Sequence, residues 1–339
     1  MTKRKRTYII AEAGVNHNGS LKIAKQMIDV AKNTGADAIK FQTFNAHKLV
    51  TKTAVKAAYQ KNSTAKSESQ YSMLQKLELS MRDHRIIKKH CEERRIHFIS
   101  SAFDEQSVDM LDKLGVSLFK IPSGEITNIP YLKHIAMKGK PLIISTGMST
   151  LAEVETTVET IYSAGNKNIT LLHCVTEYPA PYNEINLQAM LTLKEAFQVP
   201  VGYSDHTPGI EVAIAAVALG AVVIEKHFTL SKDMEGPDHK ASLEPHEFTD
   251  LVNSIRNVER ALGNGRKVPA PCEIKNMYVA RKSVVSVKEI KKGEPLSRKN
   301  ITIKRPGNGI QPGDLDKILG RTVKATVQPD QIITWDKLS

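Results

Sequence analysis

Short apolar, β-branched runs alternate with stretches of helical periodicity eight times within the first 262 residues, and few architectures satisfy that pattern. The strand-like runs are 7–10, 38–41, 97–100, 118–121, 142–145, 169–173, 201–203 and 222–226. Between and after them lie helical patterns at 21–33, 82–94, 105–114, 129–138, 151–164, 186–197, 210–219 and 245–262. Gly35, Gly115, Gly139, Gly165 and Gly220 stand just past helix ends, where a left-handed cap residue is wanted. Eight β/α units in one run favour a closed barrel over an open doubly wound sheet, so the fold predicted is α/β, a (β/α)₈ barrel.

Two segments break the rhythm. Residues 45–80 form a long polar connection, either an active-site lid or an insertion with a short helix near 69–77. After Leu262 the chain turns Gly- and Pro-rich. This divides it into a catalytic barrel over 1–262, a linker over 263–279 and a small β-rich domain over 280–339, with strand-like segments at 283–287, 301–303 and 322–327. A domain of that size buries little surface and is expected to lean on the barrel or on a second subunit.

The net charge of +12 admits a nucleic-acid binder or an enzyme for anionic substrates. The basic runs at 3–6, 88–95 and 288–292 are dispersed and carry no recognition-helix, zinc-finger or aromatic RNA-binding signature, so no nucleic-acid partner is expected. No run is long and apolar enough for a membrane span, and Glu12 interrupts any signal-peptide core. Cys91, Cys174 and Cys272 are too scattered for a disulfide framework or a structural zinc site. A cytoplasmic protein is expected.

In such barrels the catalytic groups sit at the C-terminal strand ends. Here those ends are polar: Glu12 and residues 16–19 after the first strand, Lys40 and Gln42 on the second, Ser100 and Ser101 on the third, Lys120, Ser123 and Glu125 on the fourth. Ser145 and Thr146 close the fifth, His173 and Tyr178 follow the sixth, Ser204, Asp205 and His206 the seventh, and His227 the eighth. A buried strand end carrying Lys or Glu costs desolvation unless a partner or ligand compensates. Lys40 and Lys120 among hydroxyls supply donors for a phosphate plus a carboxylate, or else they are structural ion pairs, for instance Lys120 with Glu125. A Schiff-base lysine is a third option. His206 and His227 end neighbouring strands and can converge on one divalent ion with open positions, Mn²⁺ first, with Mg²⁺ or Co²⁺ as alternatives. His17, His173 and His239 are the weaker ligand candidates. Glu12, Glu125 and Asp238 are acid/base or hydroxyl-anchoring candidates, against a cap or surface salt bridge for Asp238.

The motifs Ala-Glu-Ala-Gly-Val-Asn-His-Asn-Gly from Ala11, Lys-Phe-Gln-Thr-Phe from Lys40, Lys-Ile-Pro-Ser-Gly-Glu from Lys120 and Ser-Thr-Gly-Met from Ser145 recur in a known order. Tyr-Ser-Asp-His-Thr from Tyr203, Glu-Lys-His-Phe-Thr from Glu225 and Lys-Arg-Pro-Gly-Asn-Gly from Lys304 complete it. From about Tyr8 to the end, the chain resembles the bacterial sialic acid synthase family, which includes legionaminate synthases, and its final domain is similar to the antifreeze-like (SAF) module. The resemblance implies condensation of phosphoenolpyruvate with N-acetylmannosamine to N-acetylneuraminate, the alternative being a 2,4-diacetamido-2,4,6-trideoxyhexose giving legionaminate or pseudaminate. It implies that Lys40, Ser101, Lys120, Ser123 and Ser204 bind phosphoenolpyruvate, that Gln42, Glu125, Tyr178 and Asp238 grip the sugar, and that Glu12 lies beside the reacting carbons. It also implies a domain-swapped homodimer in which Arg305 reaches the neighbour's pocket. Two positions depart from the family pattern: Ser101-Ala102 stands where Thr-Pro is frequent, and Thr176 where some members carry Asn.

Overall fold

Period-two alternation assigns each strand one face toward the helices and one toward the barrel axis. In the computed structural model, which describes residues 6–57, 60 and 68–339, eight parallel strands close in sequence order. They are β1 (Tyr8–Gly14), β2 (Ala38–Thr43), β3 (His97–Ala102), β4 (Phe119–Ile121), β5 (Leu142–Ser145), β6 (Ile169–Cys174), β7 (Val201–Asp205) and β8 (Val223–His227). Pairing of Tyr8 with Val223 and of Glu12 with His227 seals β8 to β1. Outward residues such as Ile9, Ile39, Phe41, Phe119, Leu171 and Ile224 pack under the helices in one continuous core. The inward residues Ile10, Ala38, Ile99, Ile143, Leu172 and Val223 form a separate apolar plug along the axis, with Leu118 against it.

Local chemistry explains where elements differ from expectation. β1 runs on to Gly14 rather than stopping at Ile10, because the inward Glu12 finds a cation on β2. The helix expected from 186 starts later, at Gln188–Phe197, since Asn186 takes a left-handed φ of 49°. In the long connection, helices Ala46–Leu49 and Gln70–Leu77 form, the second capped by Ser69, whose Oγ accepts from Ser72 N at 3.2 Å. Residues 58–59 and 61–67 of this connection, and 3–5 of the first basic run, lie outside the described residues.

The chain divides into compact units at 1–263 and 264–339. The second has its own core, including Val284, Ile290, Leu296, Ile310, Val323 and Ile333. In it β9 (Ser283–Ser286) and β10 (Ile301–Lys304) pair antiparallel, whereas 322–327 contributes single bridges instead of a strand. The stretch read as linker carries a helix, Ile274–Ala280, none of whose residues is buried. Among the described residues no helix is long and apolar enough to cross a membrane.

Candidate active site

One step up each strand from the apolar plug, the inward positions are Glu12, Lys40, Ser101, Lys120, Ser145, Cys174, Ser204 and Glu225. Every one of them lines a cavity of about 320 Å³ that opens at the C-terminal mouth. The plug below and the polar floor above are successive layers of the same alternation.

The floor is an ion cluster. Lys40 Nζ lies 3.2 Å from Glu12 Oε2 and 3.2 Å from Glu225 Oε2, and donates to Ser101 Oγ at 3.1 Å. Lys120 Nζ donates to Ser145 Oγ at 2.6 Å and stands 3.6 Å from Glu225 Oε1, which accepts from Ser204 Oγ at 2.9 Å. All four charged groups are buried. Burial pushes the Glu12 carboxyl up to about 8, against the pull of Lys40. For Glu225, burial would also raise the carboxyl, but Lys120 and Lys40 reverse the sign and hold it at about 2. Burial lowers Lys120 to about 8 with Glu225 opposing, whereas for Lys40 the two carboxylates outweigh burial and raise it. Of the two carboxyls, Glu12 is thus the one whose proton is held more tightly, and the paired lysines favour an anion above them.

Above the floor stand His206 and His227, ring centroids 5.4 Å apart. His206 Nδ1 donates to Val175 O at 2.6 Å, which leaves the Nε2 lone pair free. His227 Nδ1 is buried without a hydrogen-bond partner. Burial lowers both, His206 to about 4, so the rings are neutral and able to ligate. Among the described residues no third His, Cys, Asp or Glu completes a three-ligand cluster. The donors fit a divalent ion that keeps positions for water and substrate. The Tyr178 ring lies 4.1 Å from that of His206 at a tilt of 34° and meets His227 edge-on at 5.4 Å.

The rim is polar on one side. A Cβ on Gly14, whose φ is +51°, would lie 3.3 Å from Glu12 Oε1, 3.4 Å from Gln42 Nε2 and 3.6 Å from Asp238 Oδ2, so these three groups converge on one point. Burial pushes Asp238 up to about 6. Opposite, Ser123 Oγ accepts from Gly147 N at 2.9 Å and lies 3.3 Å from Cys174 Sγ. A Cβ on Gly147 would stand 2.2 Å from Thr176 Oγ1, so this turn requires glycine.

Of the residues singled out in the sequence, Glu12, Lys40, Gln42, Ser101, Lys120, Ser123, Tyr178, Ser204, His206, His227 and Asp238 line the same cavity. Glu125 stands next to the lining Gly124, with its Oε2 accepting from Asn128 Nδ2 at 2.6 Å rather than pairing with Lys120. Arg305 is exposed in the second unit, just past β10. His173, His17 and His239 bond to Ile185 O, Gly19 N and the Thr229 hydroxyl respectively. Glu225 was missed, and its signal was plain: it lies two residues before His227 and so shares the inward face. Thr176, left unassigned from sequence, is also in the lining.

The sequence pattern of the NeuB family matches residues 27–267, and that of the SAF domain matches 281–339. The chain is 53% identical to an N,N'-diacetyllegionaminic acid synthase of Campylobacter jejuni, covering 97% of this chain and 99% of that one. It is 48% identical to an enzyme of the same name from Legionella pneumophila, covering 98% and 94%. Among solved structures, the N-acetylneuraminic acid synthetase of Leptospira borgpetersenii superposes with a TM-score of 0.73 at 34% identity, covering 81% of this chain and 91% of that one.

Proposed function

The chain belongs to the NeuB family and ends in a SAF domain, and from that premise we propose that it condenses phosphoenolpyruvate with 2,4-diacetamido-2,4,6-trideoxymannose to N,N'-diacetyllegionaminate and phosphate. Likeness to two legionaminic acid synthases supports this acceptor over the N-acetylmannosamine expected first. The reaction class, phosphoenolpyruvate-dependent carbon–carbon bond formation, holds for either sugar. The observation that carries it is one cavity joining an anion cradle to two neutral histidines.

Lys40, Lys120, Ser101, Ser123 and Ser204 hold the phosphate and carboxylate of phosphoenolpyruvate, fixing carbon 3 toward the mouth. Gln42, Asp238 and Tyr178 orient the open-chain sugar above it, with its aldehyde at the histidines. Carbon 3 attacks the aldehyde carbon, water adds to the oxocarbenium-like carbon 2, and the tetrahedral intermediate expels phosphate. Glu12 gives its proton to the new alkoxide and recovers one from the attacking water. His206 and His227 would hold a divalent ion, Mn²⁺ or alternatively Mg²⁺ or Co²⁺, which when bound supplies Lewis-acid polarisation of the aldehyde oxygen.

The second unit supports a swapped dimer in which Arg305 completes a partner's pocket. Its helix Ile274–Ala280 leaves Ile274, Tyr278 and Val279 48%, 61% and 69% exposed, an apolar face that a second copy would cover. Mixing inactive Arg305→Ala and His206→Ala subunits restores part of the activity if this holds; none after confirmed exchange refutes it. The main test is phosphate release from phosphoenolpyruvate with each sugar. No turnover with any sugar in added Mn²⁺ overturns the reaction, and a higher kcat/KM for N-acetylmannosamine overturns the acceptor.

A further inference from the structure

The cavity has two chemically distinct sides. Against the floor of lysines, carboxylates and hydroxyls, the lining contributed by residues 45–80 and their neighbours is mostly apolar, with Val15, Leu49, Val50, Met73, Leu74, Leu77 and Phe103 and, among the described residues, only Gln60 and Gln70 as polar members. On the helix Gln70–Leu77, Met73 and Leu77 are buried in a small cluster with Val15 and Phe44, and these hold the lid to the barrel. Leu49, Val50 and Leu74 are only half-buried and line the cavity. Leu49 and Leu74 pack against that same cluster, yet with Val50 they keep part of their apolar surface turned to the cavity, where an apolar group of a bound molecule can meet it.

The position of the wall says what that is. An acceptor with its aldehyde at His206 and His227 and its hydroxyls on Gln42 and Asp238 is gripped around Gly14, where those groups converge with Glu12. Val15, the next residue, is the foot of the apolar wall. The carbon farthest from the aldehyde therefore faces the lid. We propose that Leu49, Val50 and Leu74 form a specificity wall that selects acceptors whose terminal carbon is a methyl group over those with a terminal hydroxymethyl. The inference rests on the nonulosonate-synthase reading and adds which residues choose the sugar. A hydroxymethyl pressed against this wall loses its water without gaining a partner, whereas a methyl gains apolar contact. Discrimination of about 10- to 100-fold in kcat/KM is what an apolar pocket of this kind achieves.

The test uses N-acetylmannosamine and its 6-deoxy analogue, which differ only at that carbon. The full-length enzyme is expected to favour the 6-deoxy sugar about 10-fold or more. In Leu74→Gln, Val50→Thr and Leu49→Asn variants the ratio falls toward one, while KM for phosphoenolpyruvate and the unfolding midpoint stay at parental values. A parental preference for the hydroxymethyl sugar, or variants that slow both sugars equally, overturns the wall. Saturation-transfer NMR needs no turnover: the 6-methyl protons receive saturation from leucine and valine methyls in the parent, less in Leu74→Gln. A chain that shows this transfer but releases no phosphate refutes the reaction and keeps the wall; phosphate release without transfer does the reverse.

Discussion

Lys226 and Asp205 pair at 2.8 Å with both side chains wholly inaccessible, on the outward faces of β8 and β7. Lys226 Nζ also donates to Thr207 O at 2.5 Å, and Asp205 Oδ1 accepts from Thr207 N at 2.9 Å and from its hydroxyl at 2.7 Å. The clamp encloses His206 between Asp205 and Thr207. Lys226→Met removes the cation and leaves a carboxylate buried without a counter-charge, held by hydrogen-bond donors such as those of Thr207. Breaking a buried pair from one side costs about 3–5 kcal/mol. For a unit of this size each kcal/mol moves the midpoint by about 2–4 °C, so a fall of about 6–20 °C is expected. Asp205→Leu with Lys226→Met removes the unpaired charge but strips Thr207 of its acceptor, a loss of about 1–3 kcal/mol. The double variant should therefore unfold above the single one, by circular dichroism melting at fixed pH. A single variant within about 2 °C of the parent, below the smallest shift expected from the clamp, refutes the argument. So does a double variant worse than the single.

Three further outcomes follow from the site and its surroundings. In Glu225→Gln, Lys120, already lowered to about 8 by burial, loses the carboxylate that opposes the shift. It is then neutral at pH 8, and KM for phosphoenolpyruvate rises about 10- to 100-fold, the worth of one charge-assisted hydrogen bond. Because an amine regains its proton as pH falls, the defect shrinks at pH 6, and a defect independent of pH counts against this origin. His17, wholly buried, is lowered from 6.5 to about 4 by burial, so its contribution is complete above pH 6.5 and is lost as pH falls toward 4. Between pH 7.5 and 5 this removes about 2 kcal/mol of unfolding free energy, and His17→Asn should flatten that slope in urea titrations; an unchanged slope refutes it. Chelation should abolish phosphate release and added Mn²⁺ restore it, while His206→Ala weakens Mn²⁺ binding by calorimetry; full rate after chelation removes the metal from the proposal.

The barrel was legible because its outward core repeats at every strand and its apolar plug at all but β7, where Gly202 stands at that level. Most of the floor was legible because Lys40, Lys120, Ser101 and Ser204 are polar at strand ends that should be apolar. Glu225 is harder to place because His227, not Glu225, ends the strand, although counting back two places puts Glu225 beside Lys40. The same count sends Lys226 outward, to Asp205 and away from the pocket. Asp238 and Gln42 meeting at Gly14 was beyond the sequence, since the irregular chain after β8 carries no periodicity to place Asp238. Glu125 likewise turns to Asn128 through a local 3₁₀ turn that its spacing from Lys120 does not reveal.

The strict alternation along β8 also constrains how such a catalyst changes over generations. Deleting one residue between Val223 and Glu225 would exchange inside for outside, burying Lys226 and Phe228 where Glu225 and His227 work and sending the latter under the helices. Insertions and deletions within strands are therefore lethal to the chemistry, whereas the 45–80 connection can lengthen, shorten or be rewritten without disturbing a single inward position. Descendants of this barrel are thus free to acquire new sugars while inheriting an unaltered phosphoenolpyruvate floor.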